Sequence, residues 1–143
     1  MRQLYNLLLE QPMTTEGRPM SANQRNVLGT DIEICGTNPK TGYYRDGCCH
    51  TGPKDIGIHT VCAIVTKEFL DYSHSKGNDL ITPRPELNFP GLKPGDSWCL
   101  CAMRFEEARL VGCAPKVRLT ATNEKTLEIV SLDTLKEYQI DLN

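Results

Sequence analysis

The chain has 143 residues, of which 39% are hydrophobic, and a formal net charge of −2 at pH 7. This length predicts one domain that folds without a metal or a disulfide scaffold. No run or stripe of lysine and arginine occurs, so we exclude nucleic-acid binding by phosphate neutralisation and attachment to a membrane through a basic patch.

Residues 1–25 are predicted to form an arm or linker before the domain. Leu4, Leu7 and Leu8 recur at helical spacing and favour a short helix. This segment lacks the pattern of a secretory signal, and no segment of the chain approaches the ~20 apolar residues of a membrane span. We therefore expect a cytoplasmic protein with a single globular domain at residues 26–143.

The first predicted strand is Thr60–Thr66, which is apolar on both faces, as is typical of a central buried strand. It leads directly into a predicted helix, Lys67–Lys76. Thr66 is the expected N-cap of that helix, and Gly77 is expected to end it.

A second strand, Trp98–Met103, is also apolar on both faces and leads into a predicted helix, Arg104–Val111. Residues 117–122 and 126–130 each alternate apolar and polar side chains, which predicts a hairpin. A short final helix is expected from the spacing of apolar residues after position 131.

Two long irregular segments separate these elements, at residues 35–59 and 78–97. The first is rich in glycine and the second contains four prolines. Loops of this length in a compact domain are usually functional or disordered, and interspersed apolar residues argue against disorder. The predicted fold class is α+β, with a small mixed or antiparallel sheet, short flanking helices and two long Gly/Pro-rich loops gathered at one side.

Seven cysteines is an odd number, and with no export signal the pattern favours reduced thiols. A bridge between the adjacent Cys48 and Cys49 is disfavoured, because their Cα atoms lie about 3.8 Å apart and disulfides need a longer span. Cys99 and Cys101 share a face of a regular strand, where both are expected to be small core residues.

Cys48, Cys49 and His59 are the candidate catalytic residues, because thiols and imidazoles on loops suit nucleophilic chemistry. The same three residues could also hold zinc, although no ordinary zinc-ligand spacing is present and the absence of a metal is favoured. If the strand begins at His59, then His59 and Cys62 point to opposite faces, and they could share a metal only if His59 lies in the preceding loop. The alternative is that Cys62 is a core residue and that His59 caps the strand or forms a hydrogen bond to a carboxylate.

A second group of candidates could bind a ligand: Arg45, Asp46, Asp79, Arg84 and Trp98. An arginine can bind a carboxylate or phosphate through its bidentate fork. The alternative for Arg84 is a structural ion pair with Asp46 or Asp79, and the alternative for Trp98 is a place in the core.

Four motifs occur along the chain: Gly42–Pro53, Asp55–Cys62, Gly77–Pro85 and Phe89–Cys101. Together they resemble the motifs of a largely bacterial family of uncharacterised proteins, domain of unknown function 2237. The resemblance begins near Asn26 and implies no assigned activity. The family's pattern often has Asn at the position of His50 and Trp at that of Phe105, and Cys113 is not typical of it. These departures lower His50 and Cys113 as candidates for shared chemistry.

Two functional hypotheses follow. The first is a protein that binds a small ligand at a thiol- or metal-based centre in the loops. The second is a non-catalytic interaction domain whose proline-braced loops form a docking surface for a protein. The chain has no P-loop, Rossmann fingerprint or common hydrolase motif, so the sequence does not decide whether it is an enzyme. A concave site lined by both loops would favour the ligand, and a flat apolar patch would favour a partner.

Overall fold

The computed structural model describes residues 24–142 and contains a three-stranded antiparallel sheet with three short helices. The strands are β1 (His59–Ile64), β2 (Ser97–Cys101) and β3 (Lys116–Val117), and β1 lies between the other two. The helices are α1 (Lys67–Ser75), α2 (Ala102–Leu110) and α3 (Leu132–Lys136). The predicted α+β fold with a small sheet is confirmed. Within residues 24–142, no helix is long and apolar enough to cross a membrane.

The central strand β1 separates two different interiors. Val61 and Ala63 belong to the main apolar core, which also contains Phe69 of α1 and Phe105 of α2. Cys62 belongs to a smaller cluster on the other face, together with three more cysteines and Ala121. Because both faces of β1 are buried, its sequence is continuously apolar from Val61 to Ile64 rather than alternating.

A threonine caps the start of α1, and a glycine follows the end of each of the two longer helices. The Thr66 hydroxyl accepts a hydrogen bond from the Phe69 N–H at 3.1 Å and caps α1 as predicted. Gly77 follows α1 with φ of 88°, and Gly112 follows α2 with φ of 78°. Such left-handed backbone suits glycine and stops each helix close to the predicted end.

The hairpin predicted for residues 117–122 and 126–130 is wrong. In this segment of the chain the ladder with β1 is limited to Lys116–Val117. Two 3₁₀ helices follow, at Leu119–Ala121 and Glu124–Glu128. Asn123 caps the second of these by accepting from the Lys125 N–H at 2.9 Å. Local hydrogen bonds from polar side chains to the backbone compete with a strand ladder, and alternation alone does not reveal them.

The carboxylate of Asp141 holds the first 3₁₀ helix. It accepts hydrogen bonds from the N–H groups of Leu119 and Thr120 and from the Thr120 hydroxyl, each at 2.9 Å. Burial acts to raise the pKa of Asp141, but these hydrogen bonds outweigh it, so the pKa is lowered.

We expect Asp141→Ala to reduce the free energy of unfolding by about 1–2 kcal/mol at neutral pH, because two backbone donors lose their acceptor. A carboxyl group with a lowered pKa stabilises the fold above its unfolded pKa, and this contribution is lost as the pH falls through the folded value. The difference between wild type and variant in urea unfolding should therefore shrink in acid. Glu33→Gln, which changes an exposed carboxylate, is the control. An equal effect of both variants at neutral pH would contradict the role of Asp141.

Candidate functional site

A cleft of about 490 Å³ runs along the β2 edge of the sheet. Both long loops contribute to it, the first through Gly42, Tyr43 and Arg45 and the second through Asn78 and Leu80. The remaining lining residues come from the two longer strands and α2, namely His59, Trp98, Cys99, Leu100, Cys101 and Arg104. The site is therefore concave and built by the segments whose length and composition suggested a function.

His59 is held in a fixed orientation on one wall of the cleft. Its Nδ1 lies 2.6 Å from Oδ1 of Asp55, whose side chain is fully buried. Oδ2 of Asp55 also accepts from the His59 N–H at 2.9 Å and from the Thr51 hydroxyl at 3.0 Å. The hydrogen bond to a carboxylate is the alternative weighed for His59 from the sequence. Since Nδ1 is held by Asp55, Nε2 is the ring nitrogen that points away from it.

A bulge in β1 places Cys101 opposite His59. Val61 pairs with Leu100, so a regular ladder would put Thr60, not His59, opposite Cys101. The register shifts between His59 and Val61, and His59 takes that position. Bulges re-aim side chains in this way and are over-represented beside active sites. The bulge thus brings His59 and Cys101 to the same position of the β1–β2 ladder.

The bulge also corrects two expectations. Cys62 pairs with Cys99, which shares a strand face with Cys101. The bulge lies between His59 and Cys62, so the regular alternation behind the expectation of opposite faces does not hold across it. Cys101 is half-buried, lines the cleft and is not in a disulfide, so it is not the small core residue that the strand pattern predicted.

Two arginines from different parts of the chain line the cleft. Arg45 comes from the first loop, and its Cζ lies 5.2 Å from the centre of the Trp98 ring. Arg104 comes from α2 and donates to the Lys76 carbonyl and to Glu107, each at 3.2 Å. Among residues 24–142, those that line this cleft include no aspartate or glutamate. The charge of its lining therefore favours an anion.

The backbone is strained at two points beside the cleft. Arg45 has φ of 57° and Ile58, which precedes His59, has φ of 51°. Left-handed backbone is a genuine outlier for a β-branched residue such as isoleucine, and such strain clusters at functional sites at a cost of about 1–3 kcal/mol each. Both outliers position residues of the cleft, Arg45 itself and the neighbouring His59.

Trp98 is a buried residue that also lines the cleft. Only 8% of its surface is exposed, and its ring packs against Phe89 with centroids 5.1 Å apart. It also lines the cleft and supports the guanidinium of Arg45. Tyr43, another lining residue of the cleft, stacks on the imidazole of His59, and the two ring centroids lie 6.1 Å apart.

The candidate thiols Cys48 and Cys49 do not join His59 in this cleft. Cys49 is fully buried and bonded to Cys99, and Cys35 is bonded to Cys62. The expectation of reduced thiols is therefore wrong for these four cysteines, and Cys99 is a bonded residue rather than an inert core residue. Cys48 and Cys49 do not bridge each other. Residue spacing could not reveal these pairs because their members lie 27 and 50 positions apart.

Asp46 organises the first loop and does not line the cleft. Its Oδ1 accepts from the Cys48 N–H at 3.0 Å, and its Oδ2 lies 2.8 Å from Nδ1 of His50. Ligand atoms of Asp46, Cys48 and His50 lie within 4.8 Å of one another. His50, which the family pattern made a weaker candidate for shared chemistry, is therefore a buried polar residue of the first loop.

Arg84 lies outside the cleft and is exposed. Its Nε donates to Glu86 at 2.8 Å. The ion pair expected with Asp46 or Asp79 is wrong, because a partner two residues away is reached at a lower entropic cost.

Asp79 shapes the turn beside the cleft. Its Oδ1 accepts from the N–H groups of Ile81 at 2.9 Å and Thr82 at 3.0 Å. Hydrogen bonds from the Thr82 side chain and from these two N–H groups lower the pKa of Asp79 to about 2. The turn carries Leu80, which lines the cleft, so Asp79 supports the cleft wall without facing it.

A second depression, of about 800 Å³, is lined in part by Asp55. Its lining also includes Ile56, Lys125 and Glu128, and it has no cysteine or histidine among the described residues that line it. It lacks a thiol and an imidazole, so the first cleft is the stronger candidate for the predicted thiol-based site.

The sequence profile of a family described as "Uncharacterized protein conserved in bacteria (DUF2237)" matches residues 25–139. This match covers most of the chain and all the cleft residues. A comparison with curated proteins finds no match.

We expect the turn at Asp79 to persist far into acid. A carboxyl group with a lowered pKa keeps its hydrogen bonds until the pH falls through the folded value, which for Asp79 is about 2. The amide proton shifts of Ile81 and Thr82 should therefore stay constant from neutral pH to about pH 3 and change below it. In Asp79→Asn this titration should be absent. A transition near the ordinary carboxyl pKa in the wild type would contradict the role of Asp79.

Proposed function

We propose that this chain, which belongs to the DUF2237 family, binds a small anionic ligand in the cleft and attacks it with the thiol of Cys101. His59, oriented by Asp55, takes up the proton of the thiol. The observation that carries the proposal is the β1 bulge, which pairs His59 with Cys101 in a cleft lined by two arginines. This deepens the first sequence hypothesis, with Cys101 in place of Cys48 and Cys49.

The arrangement supports nucleophilic catalysis because it has the three parts that such sites need. Cys101 supplies the sulfur, His59 the base, and Asp55 the group that orients the base. Asp55 lies beneath the imidazole, where it fixes the ring without adding negative charge to the cleft lining. This wall of the cleft, which carries Cys101 and His59, is therefore suited to hold a thiolate next to an anionic ligand.

The two guanidinium groups define the class of ligand. Arg45 and Arg104 lie on different elements, so a carboxylate between them would be clamped from two sides. The cleft volume of about 490 Å³ is typical of a pocket for a small molecule. We infer a carboxylate-bearing molecule with an electrophilic carbon close to its charged group.

The chemical step is a displacement or addition at that carbon. The Cys101 S–H bond breaks, its proton moves to Nε2 of His59, and the sulfur forms a bond to the electrophilic carbon. The electron pair of the bond that breaks leaves with the displaced group, or moves to the carbonyl oxygen when the carbon is a carbonyl. In that case the Asn78 side chain and the two arginines, which line the same cleft, are the available donors.

The docking hypothesis has less support. A flat apolar surface would favour it, whereas the two loops enclose a concave, cationic cleft. We also retain the cytoplasm as the proposed location, since a reactive thiol at Cys101 stays reduced there. The two disulfides point instead towards an oxidising location. A cytoplasmic location therefore requires that the fold persists when the four bonded cysteines are reduced.

Iodoacetate tests the thiol and its base, because it carries both a carboxylate and an electrophilic carbon. We expect it to alkylate Cys101 faster than Cys113, measured by peptide mass spectrometry over time on the full chain. His59→Gln should slow alkylation of Cys101 about a hundredfold, the usual scale for loss of a general base. The rate at Cys113 should not change.

Asp55→Asn should slow the same reaction by changing the position of the imidazole, and the pH profile of alkylation should change with it. The proposal fails if Cys101 reacts no faster than Cys113, or if His59→Gln leaves the rate at Cys101 unchanged in a folded variant. Folding is checked by the near-ultraviolet signal of Trp98.

The arginines are tested by comparing iodoacetate with neutral iodoacetamide. We expect Cys101 to prefer iodoacetate relative to Cys113, because the guanidinium groups attract its carboxylate. Arg45→Gln and Arg104→Gln should each reduce this preference at least about tenfold, the scale of a lost charge-assisted hydrogen bond. Arg84→Gln, an exposed arginine outside the cleft, is the matched control. An unchanged preference in both cleft variants would refute anion binding.

A further inference from the structure

Four cysteines from four separate positions meet on one face of the sheet. Cys62 of β1 is directly opposite Cys99 of β2. Cys35 and Cys49 come from the first long loop and cover that face. The sulfur atoms of Cys35, Cys49 and Cys99 all lie within 4.8 Å of one another, and Cys62 is bonded to Cys35. The four sulfurs therefore form one compact cluster, which we call the sulfur cluster.

The sulfur cluster is closed to solvent. Its members are 0–6% exposed, and Ala121 with Ile32 completes the surrounding shell. Structural zinc sites are closed in the same way, with four thiolates around the ion at about 2.3 Å. Two sulfurs of such a tetrahedron lie about 3.8 Å apart. The sulfurs of Cys35, Cys49 and Cys99, which belong to two different disulfides, lie within 4.8 Å of one another, and Cys62 joins them through its bond to Cys35.

Hydrogen bonds hold the cysteine backbones independently of the sulfur–sulfur bonds. The Cys62 N–H donates to the Thr122 hydroxyl at 3.1 Å, and the Cys99 N–H donates to the Thr41 hydroxyl at 2.8 Å. The Cys35 N–H donates to the Gly47 carbonyl at 2.7 Å. Breaking the disulfides leaves these bonds in place, so four thiols would remain gathered in one buried space.

We propose that the sulfur cluster binds one zinc ion when its two disulfides are reduced. The reductant is a dithiol: two dithiol molecules give four electrons and four protons to the two disulfides and become disulfides themselves. The four cysteine thiols then lose their protons to solvent as four Zn–S bonds form. Oxidation by a disulfide reverses the sequence and releases the ion.

The ligand chemistry selects zinc and this cluster. Thiolates are soft ligands, and a tetrahedral set of four is typical of zinc. The other group of close ligand atoms, Asp46, Cys48 and His50, has a single thiol, and its carboxylate and imidazole already bind each other. A zinc ion with four thiolates carries net negative charge. Cys99 lies at the cleft that also contains Arg45 and Arg104, so positive charge is nearby.

The two states have the same structural consequence. Either the disulfides or the zinc ion ties Cys35 and Cys49 of the first loop to the paired strands. The loop that carries Arg45 therefore stays attached in an oxidising and in a reducing compartment. The proposal is independent of the chemistry assigned to Cys101 and His59.

The test uses the full chain, reduced with a dithiol under anaerobic conditions, desalted and given zinc. We expect one zinc per chain by elemental analysis after gel filtration. Cobalt(II) in place of zinc should give the intense visible absorption of a tetrahedral thiolate complex. Cys35→Ser and Cys62→Ser should lower zinc affinity at least about tenfold in competition with a chromogenic chelator. Cys48→Ser and Cys113→Ser are the matched controls and should bind as the wild type does.

Three results would overturn the proposal: reduced wild type that retains no zinc, cluster variants that bind as tightly as the controls, or cobalt spectra without thiolate character. Loss of the folded near-ultraviolet signal on reduction, with zinc present, would overturn it as well. Alkylation of Cys101 by neutral iodoacetamide, which does not depend on the arginines, is followed on the same preparations and is expected to be unaffected by Cys35→Ser. Failure of the zinc site and failure of the cleft chemistry are therefore distinguishable.

Discussion

The antiparallel pairing of β1 with β2 is the interaction on which the rest of the structure depends. It places Cys62 opposite Cys99 on one face and, through the bulge at Thr60, places His59 opposite Cys101 at the end of the same ladder. A slip of one residue would turn every side chain to the other face of the sheet. The disulfides and the cleft would then be lost together, so one register determines both features.

The polar side chains between the loops and the sheet keep that register. Asn123 is almost fully buried and donates to the Cys49 carbonyl at 3.1 Å, while its own N–H donates to the Thr60 carbonyl at 2.9 Å. Thr126 and Thr60 share a buried hydrogen bond of 2.7 Å between their hydroxyls. These contacts connect the first loop, the bulge and the C-terminal 3₁₀ helices. A buried, fully paired network of this kind specifies one arrangement, because any other leaves polar groups without partners.

The cleft and the sulfur cluster divide the cysteines of the paired strands by exposure. Cys62 and Cys99 are buried and bonded, and Cys101 at the end of β2 is half-buried at the cleft. The two buried sulfurs are held in disulfides, whereas the more exposed Cys101 is the sulfur that we propose as the nucleophile. The first loop takes part in both, since it brings Cys49 to the cluster and Arg45 to the cleft.

The sequence by itself determined the α+β class, the position of the two longer strands and the limits of α1, because burial on both strand faces and the capping residues Thr66 and Gly77 are local signals. It also identified His59, Arg45 and Trp98, which line the cleft. Only the tertiary structure decided that Cys101 pairs with His59 in the strand ladder and that Cys49 bonds to Cys99. The bulge depends on how Asp55, Thr51 and the strained Ile58 lead the chain into β1. The disulfides join positions far apart in the chain. Neither the bulge nor the disulfides have a periodic signature in the sequence, because both are set by contacts between segments rather than by the order of neighbouring residues.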